Sequence, residues 1–160
     1  MTPATPYTAE IRAAAAAHGL STAIFEALVI AESSGRADAF RFEPGIAEQL
    51  ADGRLHAKHL PANPAPRRIA SSYGLAQVLF ITACDYGFAG EPEELFVPVQ
   101  SLAYGARHLA AQLAWAGGDY ARALAAYNGG RRGNVAPPYR NQAYVDRVFA
   151  VRDHLSGAGA

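Results

Sequence analysis

A chain of 160 residues has the size of one domain and can enclose a hydrophobic core, so a single domain over residues 1–160 is expected. Fourteen basic residues balance fourteen acidic ones, and the zero formal charge excludes the broad basic footprint of a nucleic-acid binder. The single cysteine, Cys84, excludes an internal disulfide and any zinc site built on two or more cysteine ligands.

Met1 to Leu20 has neither the basic start nor the apolar core of a secretory signal, and no run approaches the roughly 18 apolar residues of a membrane span. The expectation is a protein made in the cytoplasm without a signal peptide and not inserted in a membrane. In this stretch Ile11, Ala14, Ala15 and His18 recur at helical spacing, with Thr8 as a cap and Gly19 as a stop. Ser21 caps a second helix predicted to run to about Ser33, with Leu20 and Phe25 spaced for a hydrophobic staple. From Ser34 to Ser72 the pattern dissolves into Gly, Pro, Asp and Arg, with at most a short helix near Ile46 to Ala51. Structureless loops of that length are uncommon unless they carry function, so this excursion reads as a flap beside a cleft.

Helical spacing returns after Gly74. It is strongest at Val99, Leu102, Ala103, Ala106, Leu109, Ala110, Leu113 and Ala114, which predict a long central helix. Asp119 caps a following helix that ends at Asn128-Gly129-Gly130, and a last helix carries Tyr144, Val145, Val148 and Phe149 after the break at Pro137-Pro138. No segment shows sustained period-two alternation, so the class is mainly α.

Phe25, Leu28 and Val29 precede Glu32 by seven, four and three residues, so its carboxylate emerges from the apolar face of the second helix. Partial burial disfavours the charged form and raises the pKa, as an acid that donates a proton to a glycosidic oxygen requires. Periodicity alone is equally compatible with a helix-end glutamate turned to solvent. Tyr73-Gly74-Leu75-Ala76-Gln77-Val78 places an amide after a glycine turn, where Gln77 can bond a sugar hydroxyl or N-acetyl group. Ala126-Tyr127-Asn128-Gly129-Gly130 brings a phenol onto the face of Tyr120, Ala123 and Leu124. Taken singly, these are also an ordinary turn and a core tyrosine with a C-cap.

In this order, Glu32-Ser33, Gly74-Leu75-Ala76-Gln77, Ala126-Tyr127-Asn128-Gly129-Gly130 and Tyr144-Val145 resemble the lysozyme-like transglycosylase family of soluble lytic transglycosylases and goose-type lysozymes. The resemblance covers most of the chain. It implies a mainly α, lysozyme-like helical domain with the long irregular excursion beside its cleft, acting on peptidoglycan glycan strands. By the resemblance Glu32 is the catalytic acid and base, Tyr127 and Tyr144 lie close to it, and Gly74 to Gln77 line the cleft. Glu32 and Tyr127 are therefore the expected catalytic residues, and Ser33, Tyr73, Gly74, Leu75, Gln77, Asn128, Tyr144 and Glu43 the expected substrate-binding ones. Ala76 replaces the usual methionine of the cleft wall, and Ser101 replaces an asparagine that commonly precedes the glycine of the long helix.

An ordinary glycosidase needs two carboxyl groups. Goose-type lysozymes tend to follow the Tyr-Gly-Leu-x-Gln-Val stretch with an aspartate, where this chain has Leu79, so the expected reaction cleaves the MurNAc-GlcNAc bond without water and forms a 1,6-anhydro sugar. Glu43, in the aromatic segment Phe40-Arg41-Phe42-Glu43-Pro44, keeps a hydrolytic muramidase open; the alternative for this segment is an Arg41 to Glu43 loop contact anchored by two phenylalanines. A non-catalytic glycan-binding or phage tail module is the rival from another class. His18, His56, His59, His108 and His154 lack metal-ligand spacing, so solvated or hydrogen-bonded histidines and no metal or cofactor are expected. Trp115 is either a sugar platform or core and rim packing, and Arg131-Arg132 is a weak anionic attractor. A monomer is expected. The absence of an export signal suggests a phage endolysin or virion-associated enzyme that reaches the wall through a holin or the virion.

Overall fold

The computed structural model describes residues 5–157, so the outermost residues of the 1–160 domain and the start of the Met1 to Leu20 segment lie outside it. Helix α1 (Thr8–Ala17) begins without a side-chain cap, because the Thr8 hydroxyl donates to the Thr5 carbonyl instead of capping. Ile11 and Ala15 are buried as the spacing implies, and Gly19 takes a left-handed turn. Ser21 caps α2 (Thr22–Ser33) by accepting from the Ile24 N–H, and both members of the expected staple, Leu20 and Phe25, are buried in one core. Ile24, Phe25, Ala27, Leu28 and Val29 bury most of the circumference of α2. Full burial of Phe25 or Leu28 is worth roughly 2–3 kcal/mol each relative to exposure.

The excursion is more ordered than its composition suggests. It contains β1 (Phe40–Phe42), α3 (Pro44–Ala51) and the single turn α4 (Pro66–Ile69), followed by β2 (Ser71–Tyr73) and β3 (Val78–Leu79). These strands form an antiparallel sheet in the order β1-β2-β3, with Phe40 opposite Tyr73 and Ser72 opposite Leu79. Period-two alternation missed them because none exceeds three residues. Arg68 ties the excursion down, with Nη2 2.7 Å from Glu91 and 2.6 Å from Glu93 and Nη1 donating to the Asn63 carbonyl. Helix α5 (Phe80–Asp85) and a 3-10 turn, Pro92–Phe96, complete this layer around a second cluster of Tyr73, Val78, Phe80, Phe88 and Leu95.

Helix α6 (Pro98–Trp115) is the expected long helix, but its buried face differs from the predicted stripe. Val99 is 65% exposed and Ala103 and Ala114 face solvent, while Ser101, Gly105 and Gln112 are buried beside Leu102, Ala106 and Leu109. Ser101 and Gly105 are inside because α6 packs there on the backbone of the 73–77 turn, and Gln112 because it bonds His108 and Arg131. Asp119 caps α7 (Tyr120–Gly129) by accepting from Ala121 and Arg122 N–H groups, and α8 (Gln142–Gly157) packs along α2. The architecture is mainly helical, with α1, α2, α6, α7 and α8 around the main core and the small sheet layer at its side. Among the described residues, no helix is long and apolar enough to cross a membrane.

Candidate active site

Between the helical core and the sheet layer lies a cleft of about 650 Å³, with Glu32, Arg41, Glu43, Gln77, His108 and Tyr127 on its walls. A shallower recess leaves the same point past Ser33, Arg36 and Phe40 and shares Glu32, Arg41 and Gln77. Glu32 therefore sits where two recesses meet, so a ligand can extend away from it on both sides.

Glu32 leaves the last turn of α2 half-buried, on the face that carries the core residues Phe25 and Leu28. Tyr144, from the first turn of α8, donates its hydroxyl to Glu32 Oε1 at 2.7 Å. Burial raises the Glu32 pKa and outweighs the opposing effects of the Tyr144 hydrogen bond and of Arg147 and Arg41; the charge of Glu43 adds to the rise. Burial and the adjacent carboxylate hold the Tyr144 phenol well above its ordinary pKa, so it remains a neutral donor. The pair is a carboxyl group that keeps its proton to higher pH than a free one, with a fixed donor ready for the carboxylate when the proton leaves.

Both tyrosines are expected close to Glu32, Tyr127 as a catalytic and Tyr144 as a substrate-binding residue, and the direct hydrogen bond to Glu32 comes from Tyr144. The Tyr127 hydroxyl donates to the Ala76 carbonyl at 2.6 Å, pinning the turn that carries Gln77. That turn is built on close approaches. Gly74 has φ +76°, and a Cβ there would lie 2.8 Å from Ser101 Oγ and collide with the Leu95 carbonyl; one at Gly105 would overlap the Ala76 methyl. Ser101 Oγ accepts from Ala76 N–H at 3.1 Å and donates to the Tyr73 carbonyl at 3.3 Å. Ala76 is thus buried against α6, so the position expected to form a cleft wall is a helix-packing position.

Gln77 adopts a left-handed backbone conformation, and its amide nitrogen donates to the Ala39 and Gly74 carbonyls, both at 3.0 Å. Both N–H groups are committed within the protein, and its carbonyl oxygen is what it offers to the cleft. Asn128 lines the cleft and accepts from Asn141, while its own amide N–H groups bond no other described residue. Ser33 borders the shallow recess, but its buried hydroxyl donates back to Val29 at 3.0 Å. Tyr73, Gly74 and Leu75, expected to bind substrate, are not among the residues on the walls of either recess. Tyr73 is in the second core cluster with its hydroxyl on the Arg68 carbonyl, and Leu75 is fully buried in the main core.

The alternation of β1 sends Phe40 and Phe42 toward Arg67, with ring centroids 5.1 and 5.8 Å from its guanidinium. Arg41, on the opposite face, lines the cleft and pairs with Glu43 at 3.3 Å; Glu43 lines the cleft too. The loop ion pair and the cleft position expected as alternatives for Glu43 therefore coexist. Trp115 is covered by Arg122 and Arg131, 4.1 and 5.3 Å from its ring centroid, which makes it a packing surface for cations. Arg131 also lines the cleft, with Nε donating to Gln112 Oε1.

His108 was not singled out as a site residue from the sequence, yet it lies on the cleft wall with its ring 4.9 Å from that of Tyr127. The available signal was the row Ser101, Gly105, His108 and Gln112, small and polar residues at helical spacing inside an otherwise apolar helix. A row of that kind marks a face that meets something other than core.

One family model, described as the transglycosylase SLT domain, matches residues 9–144, a span that includes both Glu32 and Tyr144. No curated protein and no solved structure matches the chain.

Proposed function

Because the chain belongs to the transglycosylase SLT domain family, whose members are lytic transglycosylases acting on peptidoglycan, we propose that it cleaves the MurNAc-GlcNAc β-1,4 bond with Glu32 as its only acid and base and leaves 1,6-anhydro-MurNAc ends. The observation that carries this reading is the half-buried Glu32 carboxyl with a raised pKa, held by Tyr144 where two recesses meet.

The protonated carboxyl donates to the glycosidic oxygen, and the bond from that oxygen to the MurNAc anomeric carbon breaks. The substrate N-acetyl carbonyl supports the electron-poor carbon, and the Tyr144 hydroxyl supports the carboxylate left behind. Glu32 then takes the proton of the MurNAc 6-hydroxyl as its oxygen bonds the anomeric carbon. The proton balance closes on one residue, and no water enters. Tyr127 acts as a positioning residue through the Ala76 carbonyl, and Gln77 and Asn128 offer an acceptor and donors to the glycan.

Glu43 supports a second reading, a hydrolytic muramidase, because it shares the cleft and its charge reaches Glu32. The two are separated by Glu32→Gln, Glu43→Gln and mass spectrometry of the muropeptides. Loss of clearing with Glu32→Gln, activity in Glu43→Gln and anhydro ends from wild type support the single-acid reading. Reducing ends, together with loss of activity in both variants, would replace it with two carboxylates.

A further inference from the structure

We propose that His108, oriented by Tyr86 and Gln112, forms a saccharide subsite in which its Nε2–H donates a hydrogen bond to an oxygen of the bound glycan. The inference rests on the reading that this cleft takes glycan.

The Arg131 guanidinium can only donate. Its Nε lies 2.9 Å from Gln112 Oε1, which fixes the orientation of that amide. Gln112 Nε2 must then face His108, and it lies 3.4 Å from Nδ1. An amide N–H pointed at Nδ1 requires that nitrogen to be an acceptor. The Tyr86 hydroxyl, 2.9 Å from the same Nδ1, is accordingly a second donor. With Nδ1 accepting, a neutral ring carries its proton on Nε2.

Burial, and secondly the charge of Arg131, lower the His108 pKa to about 4, so the ring is neutral near pH 7. Among the described residues, Nε2 has no protein partner, and it is not one of the fully buried side-chain atoms left unpaired. Since His108 lines the cleft, that donor is open to a ligand. Its ring packs against that of Tyr127 with centroids 4.9 Å apart and a tilt of 46°, and the Tyr127 phenol feels the charge of Glu32, so the subsite adjoins the cleavage point. The result is an oriented N–H beside Tyr127 in the cleft, suited to an uncharged acceptor such as a sugar hydroxyl or an N-acetyl carbonyl.

The test uses the Glu32→Gln protein, so that a bound oligosaccharide is not consumed, and tetra-N-acetylglucosamine as the probe. Long-range proton-nitrogen correlation spectra should show His108 protonated at Nε2 alone, and both ring nitrogens should shift as the tetramer is added. Calorimetry should show binding weakened about three- to tenfold by adding His108→Phe, the range for one neutral hydrogen bond. Gln112→Glu keeps the histidine but replaces the donor to Nδ1 with an acceptor. It should move the proton to Nδ1 and weaken the tetramer similarly, which keeps the test decisive if His108→Phe does not fold. A ring protonated at Nδ1 in the starting protein, no tetramer binding, or binding unchanged in the variants that fold would overturn the inference. If Glu32→Gln still clears walls, the acid assignment falls while the tetramer measurements continue to judge His108.

Discussion

Replacing Tyr144 with phenylalanine removes the 2.7 Å hydrogen bond to Glu32 Oε1 and little else, since the ring keeps its place in the buried face of α8. The hydroxyl favours the charged carboxylate and so opposes the rise caused by burial. A hydrogen bond to a charged group is worth about 1.5–3 kcal/mol, and 1.36 kcal/mol corresponds to one pKa unit, so complete loss raises the Glu32 pKa by about one to two units. Glu32 is only half-buried, and water can replace part of the bond, which places the expected rise near about one unit. Catalysis begins with protonated Glu32, so the alkaline limb of the pH profile falls as that proton is lost. In Tyr144→Phe the limb should move to higher pH by about one unit, with a lower plateau because the carboxyl has lost its orienting partner. Clearing of purified walls, measured across acidic to alkaline buffers for both proteins, reads this directly. A limb that stays in place or moves to lower pH would show that the Tyr144 bond does not set the working pKa of Glu32.

In Tyr127→Phe the Ala76 carbonyl loses its donor, and urea melts should show a loss of about 1–3 kcal/mol together with slower clearing; unchanged stability would deny the turn-pinning role. Gly105→Ala forces a methyl onto Ala76 and should cost about 1–3 kcal/mol. Adding Ala76→Gly should recover part of that loss, and a double variant less stable than either single one counts against the contact. Glu32 has a folded pKa raised above its unfolded value, so its protonated form favours folding and that contribution is lost as pH rises through the folded pKa. Glu32→Gln should therefore melt above wild type near neutral pH, with the gap closing in acid; a gap that widens in acid contradicts the raised pKa. His108 has the opposite sign: its folded pKa of about 4 lies below the ordinary 6.5, so stability is full above 6.5 and up to about 3 kcal/mol is lost as pH falls toward 4. Denaturation of His108→Phe should lack that slope, and identical slopes in the two proteins would remove His108 from the linkage.

What the sequence determined by itself is what depends on residues three or four apart. The apolar period of α2, the existence of α6, the caps at Ser21 and Asp119 and the stop after Ser33 are local, because a helix brings such residues onto one face and its ends need nearby partners. The place of Glu32 on the face of Phe25, Leu28 and Val29 follows from helix geometry, but whether its carboxyl turns inward or to solvent does not. The tertiary structure decided everything whose partner is distant in the chain. Strands of two and three residues exist only because Phe40–Phe42 pairs with Ser71–Tyr73, and that pairing turns Arg41 and Glu43 into the cleft. Arg68 holds the excursion through carboxylates 23 and 25 residues away, which no local pattern encodes. The hydrogen-bond partners of the two tyrosines are of the same kind, with Tyr144 reaching Glu32 across 112 positions and Tyr127 reaching Ala76 across 51. His108 became a wall of the cleft only when Tyr86, just past α5, and Tyr127 of α7 came against α6, because a hydrogen bond acts over a few ångströms in space and its partners' distance along the chain is set by the fold.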